Sequence, residues 1–327
     1  MSAALASGAM SADAQSDLLH RALAASGDSR CWVLIDQSIR PLDDDQPLAQ
    51  ALVEAGAEIV RMRSPHPNFD SRFMPLLARL DSEIAAGSAA LRASIEEAQA
   101  ECEPEALMHG AGRRIGGWVQ SGASTGAALA NHISRQMLHR RRDGRLTLLR
   151  WTDPAVLWAM WSAMTPPQQS RLLGPISAYH LCDPQGSCFA LLPSSSHASS
   201  RLEVAPTSGE LAFTNDQWQQ LDAIGPLNQA FLQLGLTKPS RALLEAARDS
   251  GMAAILRARA LGFADEHDLA AFAWRAMSVH PHFDRHPLVA EHIAKRQAED
   301  LFTALVDSLA ESDWSHIAAQ ASQPESN

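Results

Sequence analysis

The stretch over residues 146–181, LTLLRWTDPAVLWAMWSAMTPPQQSRLLGPISAYHL, decides how the rest of the chain is read. It opens with the apolar run 146–151, which has the length and bounding expected of a buried strand. Asp153-Pro154 then marks a helix start. The carboxylate can cap free backbone N–H groups, and proline at the first helical position loses no hydrogen bond. Val156, Leu157, Trp158, Met160, Trp161 and Met164 make this helix apolar on most sides, which predicts burial in a core. Pro166-Pro167 stop it, a short turn ends at Gly174-Pro175, and 176–181 reads as extended. The unit is strand–helix–strand and carries no evident nucleophile, base or metal ligand.

Upstream of this unit, residues 17–25 form a short amphipathic helix on pattern, and 31–36 (CWVLID) read as a strand. Residues 47–55 read as a helix stopped by Gly56, and 58–62 as a further strand. Residues 69–80 place Phe73, Leu76, Leu77 and Leu80 at helical spacing. Residues 82–109 read as a solvated Ala- and Glu-rich helix, and 116–121 as a strand. Ser124 or Thr125 would cap a helix running to about Leu138. The run His139-Arg140-Arg141-Arg142-Asp143-Gly144-Arg145 then reads as a cationic helix end, favoured by the helix dipole. The alternation of strand and helix predicts an α/β lobe, with a small, mostly parallel sheet and flanking helices.

Past Pro193 the composition shifts to PSSSHASSRLEVAPTSGE, the pattern of a linker. Everything beyond it reads as helix: 216–233, 240–249, 251–261, 265–279 and 287–312. The expected organisation is a disordered leader over 1–12, the α/β lobe over 13–195 and a linker over 196–212. An all-α helical lobe over 213–315 and a disordered tail over 316–327 complete it. In the last helix Val289, Ile293, Leu301, Leu305 and Leu309 share one stripe, flanked by Leu288, Phe302 and Val306.

Composition narrows the function classes. The 327 residues are 46% hydrophobic and 20% charged, as in globular proteins, and no apolar run is long enough to span a membrane. The N-terminus lacks the basic start and apolar core of a secretory signal. A net charge of −10 argues against nucleic-acid binding as the main task. Against that acidic background, residues 104–150 carry eight Arg and two acids, an asymmetry that suits docking of an acidic partner. The four cysteines, Cys31, Cys102, Cys182 and Cys188, have no CxxC spacing. They read as free thiols in a reducing compartment, with a Cys182–Cys188 pairing across a hairpin as the alternative.

Two constellations invite an enzymatic reading. Gly122-Ala123-Ser124-Thr125-Gly126 matches G-x-S-x-G between a strand and a helix, so Ser124 would be the nucleophile of a serine hydrolase, with Asp183 and His197 as triad partners. The opposing reading is that Ser, Thr and Gly simply bend and cap a strand-to-helix turn. His280-Pro281-His282-Phe283-Asp284-Arg285-His286 could supply metal ligands, but lacks a rigid i, i+4 pair. Its other reading is a helix–loop–helix corner with Phe283 plugged into the core and Pro287 starting the last helix. No Walker, GxGxxG or EF-hand pattern occurs, and no cofactor is expected.

The motifs together resemble those of type VI secretion effector chaperones, or adaptors, whose shared domain was formerly of unknown function. The resemblance rests on Leu148, Leu149, Arg150, Trp151, Asp153, Pro154, Gly174 and Pro175, on Asp36 in WVLID, and on the strand-to-helix segment 117–125. It covers about 31–192 and more loosely the helical lobe to about 312. Ala155 departs from it, because the family often has a basic residue after Asp-Pro. The resemblance implies a cytoplasmic, non-catalytic protein that holds a toxic effector and delivers it to the VgrG spike, including through a PAAR-containing effector. Asp36, Arg150, Trp151, Asp153, Pro154, Gly174 and Pro175 would be its structural signature. The expected partner-contacting residues are Arg140, Arg141 and Arg142 of the basic run and Phe283, Leu301, Phe302 and Leu305 of the helical lobe, the lobe expected to select the effector.

Overall fold

The computed structural model describes residues 14, 17–19, 21–22, 30–42, 47–66, 68–81, 85–108, 112–122, 124–184, 186–193, 211–235 and 240–321. The expected leader, most of the expected linker and the end of the expected tail lie outside the described residues. The chain divides into two compact units, residues 1–215 and 216–327.

The first unit is built on a six-stranded sheet. Its strands are β1 (Arg30–Ile35), β2 (Ile59–Arg61), β3 (Leu76–Leu80), β4 (Ile115–Ser121), β7 (Ile176–Cys182) and β8 (Cys188–Leu191), in the order β2-β3-β1-β4-β7-β8. A separate two-stranded hairpin pairs β5 (Leu138–Arg140) with β6 (Leu146–Leu148). Every neighbouring pair in the large sheet is antiparallel, which overturns the expected mostly parallel sheet.

The source of that error is local. Residues 69–80 are a single 3-10 turn, Ser71–Phe73, followed by β3, and not a helix. Pro75 lacks an N–H and disfavours helical backbone at the residue before it, and Met74 accordingly sits at φ −81°, ψ 145°. β3 then inserts between β1 and β2, antiparallel to both, so the two strands that looked like parallel neighbours never touch in the ladder. Its apolar residues mimic helical spacing because the strand is buried on both faces. Such strands show continuous apolar runs and no two-residue alternation.

Helices cover both faces. On one, α1 (Pro47–Glu54) and α2 (Ala85–Ala100) bring Leu48, Leu52, Ala90, Leu91, Ile95 and Ala98 against Cys31, Val33, Ile35, Ala78, Leu80 and Trp118. Here Trp118 Nε1–H donates to Ser94 Oγ at 2.8 Å, so the buried indole keeps a partner. The predicted solvated helix over 82–109 is thus corrected to α2, a half-buried helix, and the short α3 (Pro104–Met108). On the other face lie Trp32, Leu34, Leu77, Val119 and Tyr179, all fully buried. There α4 (Gly126–Arg135) starts so close to Trp32 that a Cβ at Gly126 would meet its ring at 2.4 Å.

α5 (Pro154–Ala163) and α6 (Pro166–Leu173) link β6 to β7. The opening strand of the 146–181 stretch is therefore the short β6 of the hairpin, and it does not share a sheet with β7. The expected cationic helix end over 139–145 is likewise corrected. α4 stops at Arg135, and the basic residues form the turn and flanks of the β5–β6 hairpin, where Arg141 N–H donates to Arg145 O at 2.8 Å.

The second unit is helical: α7 (Asn215–Asp222), α8 (Ile224–Leu234), α9 (Arg241–Ala260), α10 (Glu266–Ser278), α11 (Pro287–Ala294), α12 (Phe302–Val306) and α13 (Glu311–Ala321). The two helices expected over 240–261 are one. Gly251 sits inside it because a Cβ there would meet Leu227 Cδ1 at 2.7 Å, where α9 passes α8. The long helix expected over 287–312 is broken twice. Asp268 of α10 draws the chain into a new start: its buried carboxylate accepts from Phe302 N–H (2.8 Å), Thr303 N–H (3.1 Å) and Thr303 Oγ–H (2.9 Å). The core is aromatic, with Phe272 4.8 Å from Phe283 and 4.9 Å from Phe302 between ring centroids.

Candidate functional site

The signature residues converge at the end of β1. Asp36 follows the strand directly, and its N–H donates to Arg114 O at 2.7 Å, holding it in ladder-like geometry. Its carboxylate makes an Asx turn: Oδ1 accepts from Ser38 N–H (2.8 Å) and Ser38 Oγ–H (2.6 Å). Oδ2 takes Arg150 Nη2 at 2.5 Å. The Asp36 side chain is 10% exposed and that of Arg150 is 50% exposed, so this ion pair has a buried acidic half and a solvent-facing basic half.

Arg150 is aimed by its neighbours. Asp153 N–H donates to Arg150 O at 3.0 Å, folding 150–153 into a turn, and the Asp153 carboxylate caps α5 by accepting from Ala155 N–H at 2.9 Å. Pro154 occupies the first turn of that helix. Trp151 points inward, fully buried, with its ring centroid 6.0 Å from that of Tyr179. Tyr179 O–H donates to Gly116 O at 3.0 Å, and burial pushes its hydroxyl well above the usual phenol range. Gly174, at φ +54°, ends α6 beneath the His132 ring, which a Cβ would meet at 2.2 Å. Pro175, which is exposed, separates it from β7.

The Asp36–Arg150 pair forms one wall of an open cavity of about 240 Å³. Ser38, Pro75 and Thr152 complete its polar and backbone rim, and Phe69, Phe73, Met137 and Leu148 supply its apolar lining. Phe73 is 53% exposed and meets Phe69 edge to face, with centroids 6.3 Å apart. Sequence reading took Phe73 for one residue of a helical stripe and did not single out Phe69. The signal available was Asp70-Ser71-Arg72, where the Asp70 carboxylate accepts from Arg72 N–H at 2.8 Å and starts a turn that Pro75 cuts short.

The other named residues fall elsewhere. Arg140, Arg141 and Arg142 lie on the β5–β6 hairpin. Arg140 donates to Gly144 O at 2.9 Å and Arg141 Nε–H to Thr147 Oγ at 2.9 Å, while Arg142 is exposed. Phe283 and Phe302 are fully buried in the helical unit's own core and offer no surface to a partner, contrary to the expectation. Leu301 is exposed and Leu305 half-buried, and the break before α12 removes the continuous stripe that linked them to Val289 and Ile293.

Ser124 precedes α4, whose cap is Thr125: its Oγ accepts from Ala128 N–H at 3.2 Å. Ala212 is the one non-glycine residue at positive φ among the described residues, so Ser124 lacks the strained backbone of a nucleophile elbow. Register also separates it from Asp183. Ser121 pairs with Ile176 at one end of β7 and Asp183 follows the other end, about 20 Å away along the strand. His197 lies outside the described residues. The 280–286 segment forms the corner: His286 Nδ1 caps α11, Pro287 begins it, and Arg257 holds Asp284 at 3.0 Å. Among the described residues no group of three His, Cys, Asp or Glu side chains could hold a metal ion.

The fold thus defines a two-unit protein, an antiparallel sheet flanked by helices and a helical unit, with a half-apolar cavity beside a partly buried ion pair. Residues 10–171 match the family model described as "Domain of unknown function (DUF4123)", a span that contains every residue lining the cavity. No curated protein and no solved structure matches the chain.

Proposed function

We propose that this chain is a non-catalytic chaperone of type VI secretion that holds an effector in the cytoplasm and passes it to the VgrG spike. The observation that supports this best is the cavity, where two of the residues carrying the family resemblance, Asp36 and Arg150, border an exposed aromatic, Phe73. A half-exposed guanidinium beside an exposed and a half-buried aromatic ring suits capture of a protein segment with an apolar residue and a carboxylate, because arginine and aromatics are the side chains that most often anchor such interfaces. No described helix is long and apolar enough to cross a membrane, which accords with a protein that meets its partners in solution. The helical unit would select the effector.

Affinity purification of the full chain from its native cytoplasm tests the reading. The expected result is recovery of a toxin-like protein and a spike protein with the wild type, and loss of the toxin with Phe73→Asp. Phe73 is largely exposed, so that change should leave stability within about 0.5 kcal/mol. Recovery of neither partner by the wild type would sink the proposal. Exchanging residues 216–321 with those of a related chaperone should move effector preference with them, and an unchanged preference would remove the helical unit from that role.

A further inference from the structure

The β7–β8 hairpin sets Cys182 directly opposite Cys188. Asp183 N–H donates to Ser187 O at 3.0 Å and Gly186 N–H to Asp183 O at 2.9 Å, so the turn fixes this rung of the ladder. The sulfurs lie 3.2 Å apart, and both residues are free thiols. A disulfide needs about 2.05 Å, a closure of roughly 0.6 Å per sulfur that side-chain rotation can supply between directly opposed residues. Cys31 and Cys102 are both buried, whereas Cys188 of the pair is half-buried, and the Cys102 thiol is directed at Asp183 O, 3.6 Å away. β8 is the last strand of the sheet, so a bond here would tie down an edge.

We propose that Cys182 and Cys188 form a reversible cross-strand disulfide, a redox modification site that staples the sheet's edge strand. The oxidant class is a small disulfide such as oxidised glutathione. The half-buried Cys188 thiol loses its proton to solvent, and its sulfur attacks the oxidant's S–S bond, releasing one small thiolate and leaving a mixed disulfide. Cys182 then loses its proton, attacks the Cys188 sulfur and releases the second small thiolate. Two protein thiols lose two electrons and two protons, and the oxidant's S–S bond is reduced to two thiols. Cys182 acts second because its hydrogen bond with the Cys188 thiol, together with burial, holds its thiol well above the usual range.

The test equilibrates the full chain with reduced and oxidised glutathione, then traps free thiols with an alkylating agent after denaturation and maps the peptides. The expected result is a drop from four free thiols to two. The peptide spanning Cys182 and Cys188 should lose two hydrogen atoms while Cys31 and Cys102 stay alkylatable. Dithiothreitol should reverse the change, and amide exchange across β8 should slow in the oxidised form. Cys188→Ser should leave Cys182 free under the same buffer. A stable glutathione adduct on Cys188 with no internal bond would overturn the proposal. So would pairing of Cys182 with Cys102, or retention of all four thiols under conditions that oxidise the denatured chain. None of these outcomes bears on effector capture.

Discussion

Removing either half of the Asp36–Arg150 pair should cost unequal amounts, and the asymmetry follows from burial. Asp36→Ala deletes the acceptor for three donors: Ser38 N–H, Ser38 Oγ–H and Arg150 Nη2. Ser38 is exposed and can turn to water, so its two bonds return only part of the 1.5–3 kcal/mol typical of a bond to a charged group, and the total loss should be about 2–3 kcal/mol. Arg150→Ala leaves the carboxylate with both Ser38 donors and an open cavity that admits water. With the guanidinium half exposed, that loss should be about 1 kcal/mol. The double variant should then show a coupling of roughly 1 kcal/mol.

A single denaturation curve is the wrong assay, because two compact units need not unfold together. Amide exchange read on peptides from β1 and β4, which flank Asp36 and pair with each other, reports the first unit alone. The reasoning fails if Arg150→Ala lowers protection as much as Asp36→Ala, or if the coupling is zero. Equal losses would mean that the bond to Arg150 carries all of Asp36's contribution and the Ser38 bonds none of it, whereas zero coupling would mean that Asp36 is held by Ser38 and Arg114 O alone, with Arg150 merely resting nearby.

Asp153→Ala should destabilise the first unit by about 0.5–2 kcal/mol through loss of the α5 cap, read by the same exchange on β6–α5 peptides. Gly126→Ala should cost about 1–3 kcal/mol by driving a methyl group into Trp32 and Val60, visible as a lower melting temperature with the tryptophan signal perturbed. Burial raises the Glu101 carboxyl to about 8, so the folded unit keeps a proton that the unfolded chain has released above the ordinary value of 4.5. Its stability contribution is therefore complete below that value and lost as pH rises through about 8. Buried His180, lowered to about 4, has the opposite sign below 6.5 and offsets it there. First-unit stability should consequently fall between about pH 6.5 and 8, by at most about 1.4 kcal/mol per unit, and Glu101→Gln should flatten that slope.

The legible parts of the sequence were those set by chemistry close along the chain. Asp153-Pro154 and Thr125 cap helices as read, Pro287 starts one, and Phe283 plugs the helical core at the histidine-rich corner. β1, β4 and β7 were visible as apolar runs because central strands bury both faces. Strand direction was not visible, because it depends on what β3 pairs with and nothing in LLARL states that partner. Strand β5 was hidden by its polarity: Leu138-His139-Arg140 is short and carries no apolar alternation, although His139 is buried. The cavity was the least legible feature. Its lining comes from the end of β1, the loop and 3-10 turn before β3, the exit of α4 and the end of β6, segments joined only by the tertiary fold.

The placement of Arg150 shows why an architectural signature can border a binding surface. Across 150–153 the chain is fixed from two sides: Trp151 is locked against Tyr179 in the core, and Asp153 is committed to the first turn of α5. With those residues anchored, the residue before Trp151 has to project away from the core, which carries its guanidinium to the cavity wall beside Asp36. Substitutions at Trp151 or Asp153 will therefore disturb both stability and the cavity, and loss of partner capture in such variants says nothing about contact. Phe73 and Arg150 are the positions where the two effects separate. The first is largely exposed and the second holds its partner with only half of its side chain buried. If the cavity grips an effector, Phe73→Asp and Arg150→Ala should abolish capture while β1 and β4 keep most of their exchange protection. If capture instead falls only in step with protection, the cavity is a by-product of the scaffold and the gripping surface lies elsewhere on the chain.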